Sequence, residues 1–274
     1  MKTNKCEFWE AVIREEARDS QQPEMDIVNR MTQMYRSMKE ADEAYDDSLT
    51  SRSGLSGKNG NKMADYAATH KCMCGKFGGA VMARAIKMAE SNACMKRIVA
   101  APTAGSCGVV PAILITYERM TNTSENDMVK ALFVAAGIGD VIARRASISG
   151  ARGGCQAEIG ASSAMAAGAL AWLKSGSHLI TQAAAMALKS LLGLVCDPVA
   201  GLVEVPCVKR NASGAMNALC AVDMALAGIE SAIPADEVID AMREIGDLMH
   251  KDLRETGKGG LAATATGIAV AERL

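Results

Sequence analysis

The run EIGASSAMAAGALAWL, residues 158–173, places Gly160, Ala164 and Gly168 four residues apart. Residues so spaced share one face of an α-helix, and none of the three carries more than a methyl group. A second helix can lie close against that face. The same device joins helices inside membranes, but the weakly polar stretch Ala161–Leu173 is too short to cross a bilayer and ends at Lys174. Here it is a packing device for a buried helix. Elsewhere the apolar spacing is mostly helical, alternating β-branched runs are nearly absent, and aromatic residues make up 3% of the chain. An all-α fold follows, one compact helical domain built on small-residue contacts.

Helices are expected over 5–20 and 24–46, then over 63–70, 76–93, 127–145, 180–194, 213–231 and 235–250. Residues 1–48 form two helices packed on a main body of residues 49–274. Between them LTSRSGLSGKNGNK, residues 49–62, is too rich in Ser, Gly and Asn for regular structure. It is either a solvated linker or a polar loop offering donors to a ligand. Near the end RETGKGGLAATATG is expected to be a capping loop. With 274 residues, 49% of them apolar, the chain can bury a large core. Thirty basic and 31 acidic residues give a net charge of −1, without the basic footprint of a nucleic-acid binder. The charged, amphipathic N-terminus lacks the apolar region of a signal peptide, so a cytoplasmic location is expected, with no membrane association.

Nine cysteines in such a chain suggest metal binding or packed free thiols rather than disulfides. Cys6, Cys94 and Cys220 lie in helix-like sequence and are expected to be packed thiols. Cys155, Cys196 and Cys207 differ, each in a Gly- or Pro-broken stretch beside a helix end. As one helix, CDPVAGLVEVPC would hold its two sulfurs roughly 16 Å apart, but its two prolines oppose that. An irregular loop folding back on itself fits better. A structural zinc site would need a fourth ligand, and the three histidines (His70, His178, His250) and the lone Cys72-Met73-Cys74 pair supply no zinc pattern. A redox couple lacks CxxC. An iron–sulfur cluster usually takes four thiolates, and three would leave one iron open. A further loop, VAAPTAGSCGVVPAIL, runs Thr103, Ala104, Gly105 and Ser106 into a helix, an arrangement suited to a small carboxylate. It is not a nucleotide-binding loop, whose spacing differs.

APTAGSCGVVP, SISGARGGCQAEIG and above all LVCDPVAGLVEVPCVKRNASGAMNA resemble the α-subunit or α-domain of the iron–sulfur-dependent L-serine dehydratases, from about residue 49 onward. The resemblance implies a [4Fe–4S] cluster on Cys155, Cys196 and Cys207, and deamination of L-serine to pyruvate and ammonia. It places the substrate carboxylate on Thr103, Ala104, Gly105 and Ser106, with Ser147, Ser149, Lys209 and Asn211 in further substrate contacts. The archaeal cysteine desulfidases are similar as well, which keeps a thiol substrate in view, as does a non-catalytic half of a two-chain complex. Single-chain relatives carry a β-domain before this one, and some end in a cysteine tail, whereas this chain ends GIAVAERL. A separate β-subunit, or a homo-oligomer, is therefore expected. Cys107 is a bystander. The base that removes the Cα proton has no clear candidate beyond His70, and a partner chain is an alternative source.

Overall fold

The stripe on residues 160–168 lies at the centre of the molecule. In the computed structural model, which describes residues 6–274, every residue from Gly153 to Ala171 is buried. A turn of π-helix at Gln156–Gly160 leads without a break into α8 (Ala161–Ser175), numbering the helices in chain order. The residues that start the expected 5–20 helix lie partly outside the described residues, and α1 is Phe8–Ser20. Then come α2 (Glu24–Glu43), α3 (Asn59–Ala68), α4 (Gly75–Ala93), α5 (Val109–Thr121), α6 (Glu125–Arg145) and the single turn α7 (Gly150–Gly153). After α8 follow α9 (Ile180–Lys189), α10 (Cys207–Leu226), α11 (Ala235–Leu248) and α12 (Ala265–Ala271). Among the described residues there is no strand, only one parallel bridge between Cys196 and Arg254. The all-α expectation holds.

Helices α5, α6, α9 and α10 surround α8. A Cβ at Gly168 would lie 2.1 Å from Ile138 Cδ1 of α6, so the missing side chain is what lets the two helices meet. On the α10 side, the Ser163 hydroxyl donates to the Gly214 carbonyl at 2.8 Å. Burying this much apolar surface stabilises by about 25 cal/mol per Å², and α8 contributes along nearly its whole length.

Helices α1 and α2 pack on α6, with Phe8 and Val12 against Gly137. Helix α6 itself opens on Ser124, whose hydroxyl accepts from the Asp127 amide at 3.2 Å, and closes on Arg144 and Arg145. Several boundaries depart from the sequence expectation, with α9 ending at Lys189 instead of 194 and α10 at Leu226 instead of 231. Helix α3 starts inside the expected loop, at Asn59, because Lys58 takes a left-handed turn (φ 66°) that ends the loop early. Helix α10 starts at Cys207, six residues before 213, because Pro206 suits the residue that precedes a helix. Cys220, expected as a packed thiol, is exposed on α10.

The polar loop 49–62 is no loose linker. It is gathered around two buried acids. Glu90 of α4 accepts from Tyr45 Oη (2.8 Å), the amides of Gly57 (3.1 Å), Asn59 (3.0 Å) and Gly60 (3.0 Å), and Asn59 Nδ2 (2.8 Å). Glu204, three residues before Cys207, accepts from the hydroxyls of Ser51 (2.5 Å) and Ser53 (2.8 Å). Loop 49–62 thereby braces the segment between Cys196 and Cys207. No helix among the described residues is long and apolar enough to cross a membrane.

Candidate metal centre

Three separate stretches of chain bring buried thiols together, Cys155 and Cys196 within 4.8 Å of each other and Cys207 near enough for its charge and theirs to bear on one another. Cys155 begins the π turn ahead of α8, a helix irregularity often found at functional sites. Cys196 lies in the irregular segment after α9. Cys207 is the first residue of α10 rather than a loop residue. Their exposures are 2%, 2% and 6%, and none is in a disulfide. The segment between the last two does fold back, the Val199 amide donating to the Val205 carbonyl at 2.9 Å.

A fourth donor, Glu158, was not singled out in the sequence. One helical turn after Cys155, it presents its carboxylate to the same place. A ligand atom from each of Cys155, Glu158 and Cys196 lies within 4.8 Å of the other two, and Glu158 Oε2 is 3.8 Å from Cys196 Sγ. The C-x-x-E spacing was the available signal, since residues three apart share a helix face.

Burial and mutual contact set the charges. The Cys196 thiol hydrogen-bonds to Cys155 and, with the Arg210 guanidinium nearby, holds the Cys155 thiol below its usual range. Cys196 is pushed up by that same contact with Cys155 and by burial. Burial raises Cys207 to about 12 and also raises the Glu158 carboxyl. Arg210, which beside Lys209 reads in the sequence as half of a solvated basic pair, donates to the Val195 carbonyl at 2.9 Å and to Asp197 Oδ1 at 2.8 Å. Asp197 Oδ2 in turn accepts from the Leu261 amide at 2.9 Å. The Cys196 amide donates to the Leu253 carbonyl, and the Glu255 amide to the Cys196 carbonyl, both at 2.8 Å. The expected capping loop near the end of the chain is thus fastened directly onto the Cys196 segment.

Thr103–Ser106 forms a short 3₁₀ turn beside the thiols. Its Ser106 and Cys107 amides bond within the turn, and Gly108 donates to Asn211 Oδ1 at 2.8 Å. The amides of Ala104 and Gly105 have no acceptor among the described residues. The Thr103 hydroxyl donates to Glu158 Oε1 at 2.8 Å. Asn211 is 1% exposed, and its Nδ2 donates to the Gly105 (2.8 Å) and Cys207 (3.0 Å) carbonyls. Both Nδ2 hydrogens and one lone pair of Oδ1 are thus committed to tying this turn to α10. Lys209 is exposed on α10.

Ser147 lines a narrow groove against Met242 and Arg243 of α11, and its hydroxyl accepts from the Ser149 amide at 3.0 Å. Ser149 is exposed. His70 is exposed at the end of α3, with φ 59°, and lines a cleft with Lys76, Arg84 and Arg119 that none of the three buried cysteines lines. Cys107 is 1% exposed, with its thiol 3.7 Å from the Met88 carbonyl, away from the group.

The donor set fits an iron–sulfur cluster. Buried thiolates are its usual ligands, whereas hard cations such as magnesium prefer a cage of oxygens. One acidic thiol, an adjacent guanidinium and an enclosing shell of backbone suit an anionic thiolate centre.

Comparison with known proteins gives a consistent result. Residues 3–262 match the family model described as "Serine dehydratase alpha chain", a match that begins ahead of residue 49 and takes in α1 and α2. The chain is 48% identical over 259 residues to the "Probable L-serine dehydratase, alpha chain" of Bacillus subtilis (strain 168), covering 94% of this chain and 86% of that one. It is 48% identical over 204 residues to the "L-serine dehydratase, alpha chain" of Peptoniphilus asaccharolyticus, covering 74% and 70%. It is 44% identical over 181 residues to "L-serine dehydratase 2" of Escherichia coli (strain K12), covering 65% of this chain and 40% of that one.

Proposed function

The chain belongs to the serine dehydratase alpha-chain family, and from that premise we propose that it is the cluster-bearing chain of an L-serine ammonia-lyase, converting L-serine to pyruvate and ammonia. The observation that carries this is the meeting of the buried Cys155 and Cys196 thiols, from ahead of the π turn and from the segment after α9, with the buried Cys207 thiol at the start of α10 beside them. Cys155, Cys196 and Cys207 would hold a [4Fe–4S] cluster, which supplies Lewis acidity towards the β-hydroxyl, worth several kcal/mol in typical metal sites.

The chain's own residues do the rest of the positioning. The free amides of Ala104 and Gly105, with the Thr103 and Ser106 hydroxyls, take the substrate carboxylate. Asn211 keeps that turn in register with Cys207, so the carboxylate site and the third thiol move as one unit. Arg210 offsets the thiolate charge and braces the Cys196 segment through Val195 and Asp197. Leu261 and its neighbours, fastened to Asp197, help to keep water from the thiols. Lys209 stands at the rim, where it favours approach of an anionic group. Loss of the Cα proton and of hydroxide leaves aminoacrylate, which tautomerises and hydrolyses in water without further help.

Among the described residues no histidine or lysine stands with the buried thiols, and we place the base on a second, β-type chain that closes over this one. Relatives named "alpha chain", and one of which this chain spans 40%, support that reading. The test is an anaerobic preparation of the chain, alone and with its genomic neighbour, assayed together for iron, sulfide and pyruvate from L-serine. Cluster uptake by the lone chain with turnover only in the pair is expected, and exposure to air should inactivate it. L-Serine should be turned over faster than L-cysteine, and D-serine poorly. Full activity of the lone chain would return the search for the base to His70. Absence of iron and sulfide would overturn the cluster assignment.

A further inference from the structure

Glu158 is a buried carboxylate that the proposed mechanism leaves without a task. It is 8% exposed and sits on the same helical turn as Cys155. One oxygen receives the Thr103 hydroxyl at 2.8 Å, while the other faces Cys196 Sγ at 3.8 Å. With Cys155 and Cys196 it forms a compact group of donor atoms within 4.8 Å of one another. Gly105 and Gly150 flank it, and a Cβ on either would come within 3.0 Å and 2.7 Å of its oxygens. The backbone is thus moulded around this carboxylate. Burying a carboxylate costs several kcal/mol unless it is paired or bound to a cation. The nearest guanidinium, that of Arg210, is already committed to Asp197 and Val195.

The geometry points to Glu158 as the fourth protein ligand of the cluster, an exchangeable oxygen donor on the iron that the three cysteines leave open. This rests on the cluster reading above and deepens it. The Thr103 hydroxyl is the tether. A substrate carboxylate seated on the amides of Ala104 and Gly105 lies against Glu158 and competes for that hydroxyl, so the binding of substrate and the release of Glu158 are one event. Carboxylate is a harder, weaker partner for iron–sulfur chemistry than thiolate, which suits a ligand that must leave.

The experiment reads the lability of one iron, with no need of turnover. The full chain is reconstituted anaerobically as wild type, Glu158→Ala, Glu158→Asp and Glu255→Gln. The last removes a neighbouring carboxylate charge that also bears on Glu158. Each is challenged with a chelator and a mild oxidant. The rise of the paramagnetic three-iron signal is followed together with total iron. Loss of a ligand should speed release of the single iron by about tenfold or more in Glu158→Ala, the scale on which shell residues alter metal retention. Glu158→Asp should restore much of the wild-type rate, and Glu255→Gln should match wild type. Equal release rates in wild type and Glu158→Ala, both carrying full clusters, overturn the inference alone. Equal acceleration in Glu255→Gln overturns it too, by showing a charge effect instead of ligation. A Glu158→Ala chain that folds yet takes up no cluster also overturns it, since an open fourth position costs one iron only. A wild-type chain that takes up no cluster sinks the cluster reading itself.

Discussion

Two buried glutamates face opposite circumstances in this fold. Glu90, 1% exposed, receives five hydrogen bonds from Tyr45, Gly57, Asn59 and Gly60. Glu158, 8% exposed, receives one conventional hydrogen bond, from Thr103, and otherwise faces sulfur. A carboxylate supplied with that many donors is fully partnered and holds its surroundings in place. One supplied with a single hydroxyl is short of partners, and burial pushes its carboxyl up. The first is a scaffold element, around which its loop is gathered. The second keeps its capacity for something that arrives later. Burial alone does not separate scaffold from site here, whereas the number of donors does.

The widest separation between the two regions should come from the thiols. Cys155→Ser, Cys196→Ser or Cys207→Ser, made singly, should abolish the brown chromophore and serine turnover while leaving the helical circular dichroism intact. Cys94→Ser should leave all three unchanged. A Cys196→Ser chain with full iron and activity would dissolve the distinction between site and scaffold. Next in size is Glu90→Ala, which strands several donors at about 1–3 kcal/mol each, partly relieved by water. A loss of roughly 4 kcal/mol in denaturant unfolding is expected, against a change within about 1 kcal/mol for Glu158→Gln, whose amide oxygen still accepts from Thr103. Equal losses would mean that donor number is a poor guide.

Arg210→Met probes the junction between the regions, because it leaves the buried Asp197 without its cation. The expected cost is about 3 kcal/mol, with a parallel drop in iron retained after desalting. The smallest effect on the molecule is a chemical map. With its thiol raised to about 12 by burial, Cys107 should stay unalkylated on the folded chain at pH 8, while the exposed Cys74 and Cys220 are labelled within minutes. Labelling of Cys107 as fast as Cys220 would place it in an accessible site after all.

Much of this was legible in the chain itself. Helical periodicity gave the architecture, and Gly160, Ala164 and Gly168 marked the central helix. Gly and Pro around Cys155, Cys196 and Cys207 set those thiols apart from Cys6, Cys94 and Cys220, whereas Cys107, in an equally Gly-rich loop, was set aside only through the family resemblance. What remained hidden depended on partners distant in sequence. Glu90 and Glu204 show nothing in their own neighbourhoods of the serines and amides that come to them from residues 45–60. Asn211 looks like a free amide until Gly105 and Gly108 are brought 103 to 106 residues back against it. Glu158 is a single charge in an apolar stretch and Arg210 is half of a Lys-Arg pair that reads as solvated, and only the fold reveals that both face sulfur. The early start of α10 was hidden for a different reason, since Pro206 reads equally well as a loop residue or as the residue before a helix.

Gly260 lies 53 residues beyond the last buried thiol and touches none of them in sequence, yet it is packed against Asp197. Its φ is +58°, and a Cβ there would sit 2.5 Å from Asp197 Oδ2. Every replacement must therefore both strain the backbone and displace the acid that holds Arg210. In genetic terms, position 260 is as constrained as a cysteine ligand, although nothing about its own chemistry would suggest so. Strains selected for loss of serine catabolism should yield alleles at codon 260 alongside those at 155, 196 and 207. At Gly176 (φ +75°) and Gly193 (φ +82°) a Cβ meets nothing within 4 Å, so a replacement there brings the backbone strain without displacing an acid and should be recovered less often.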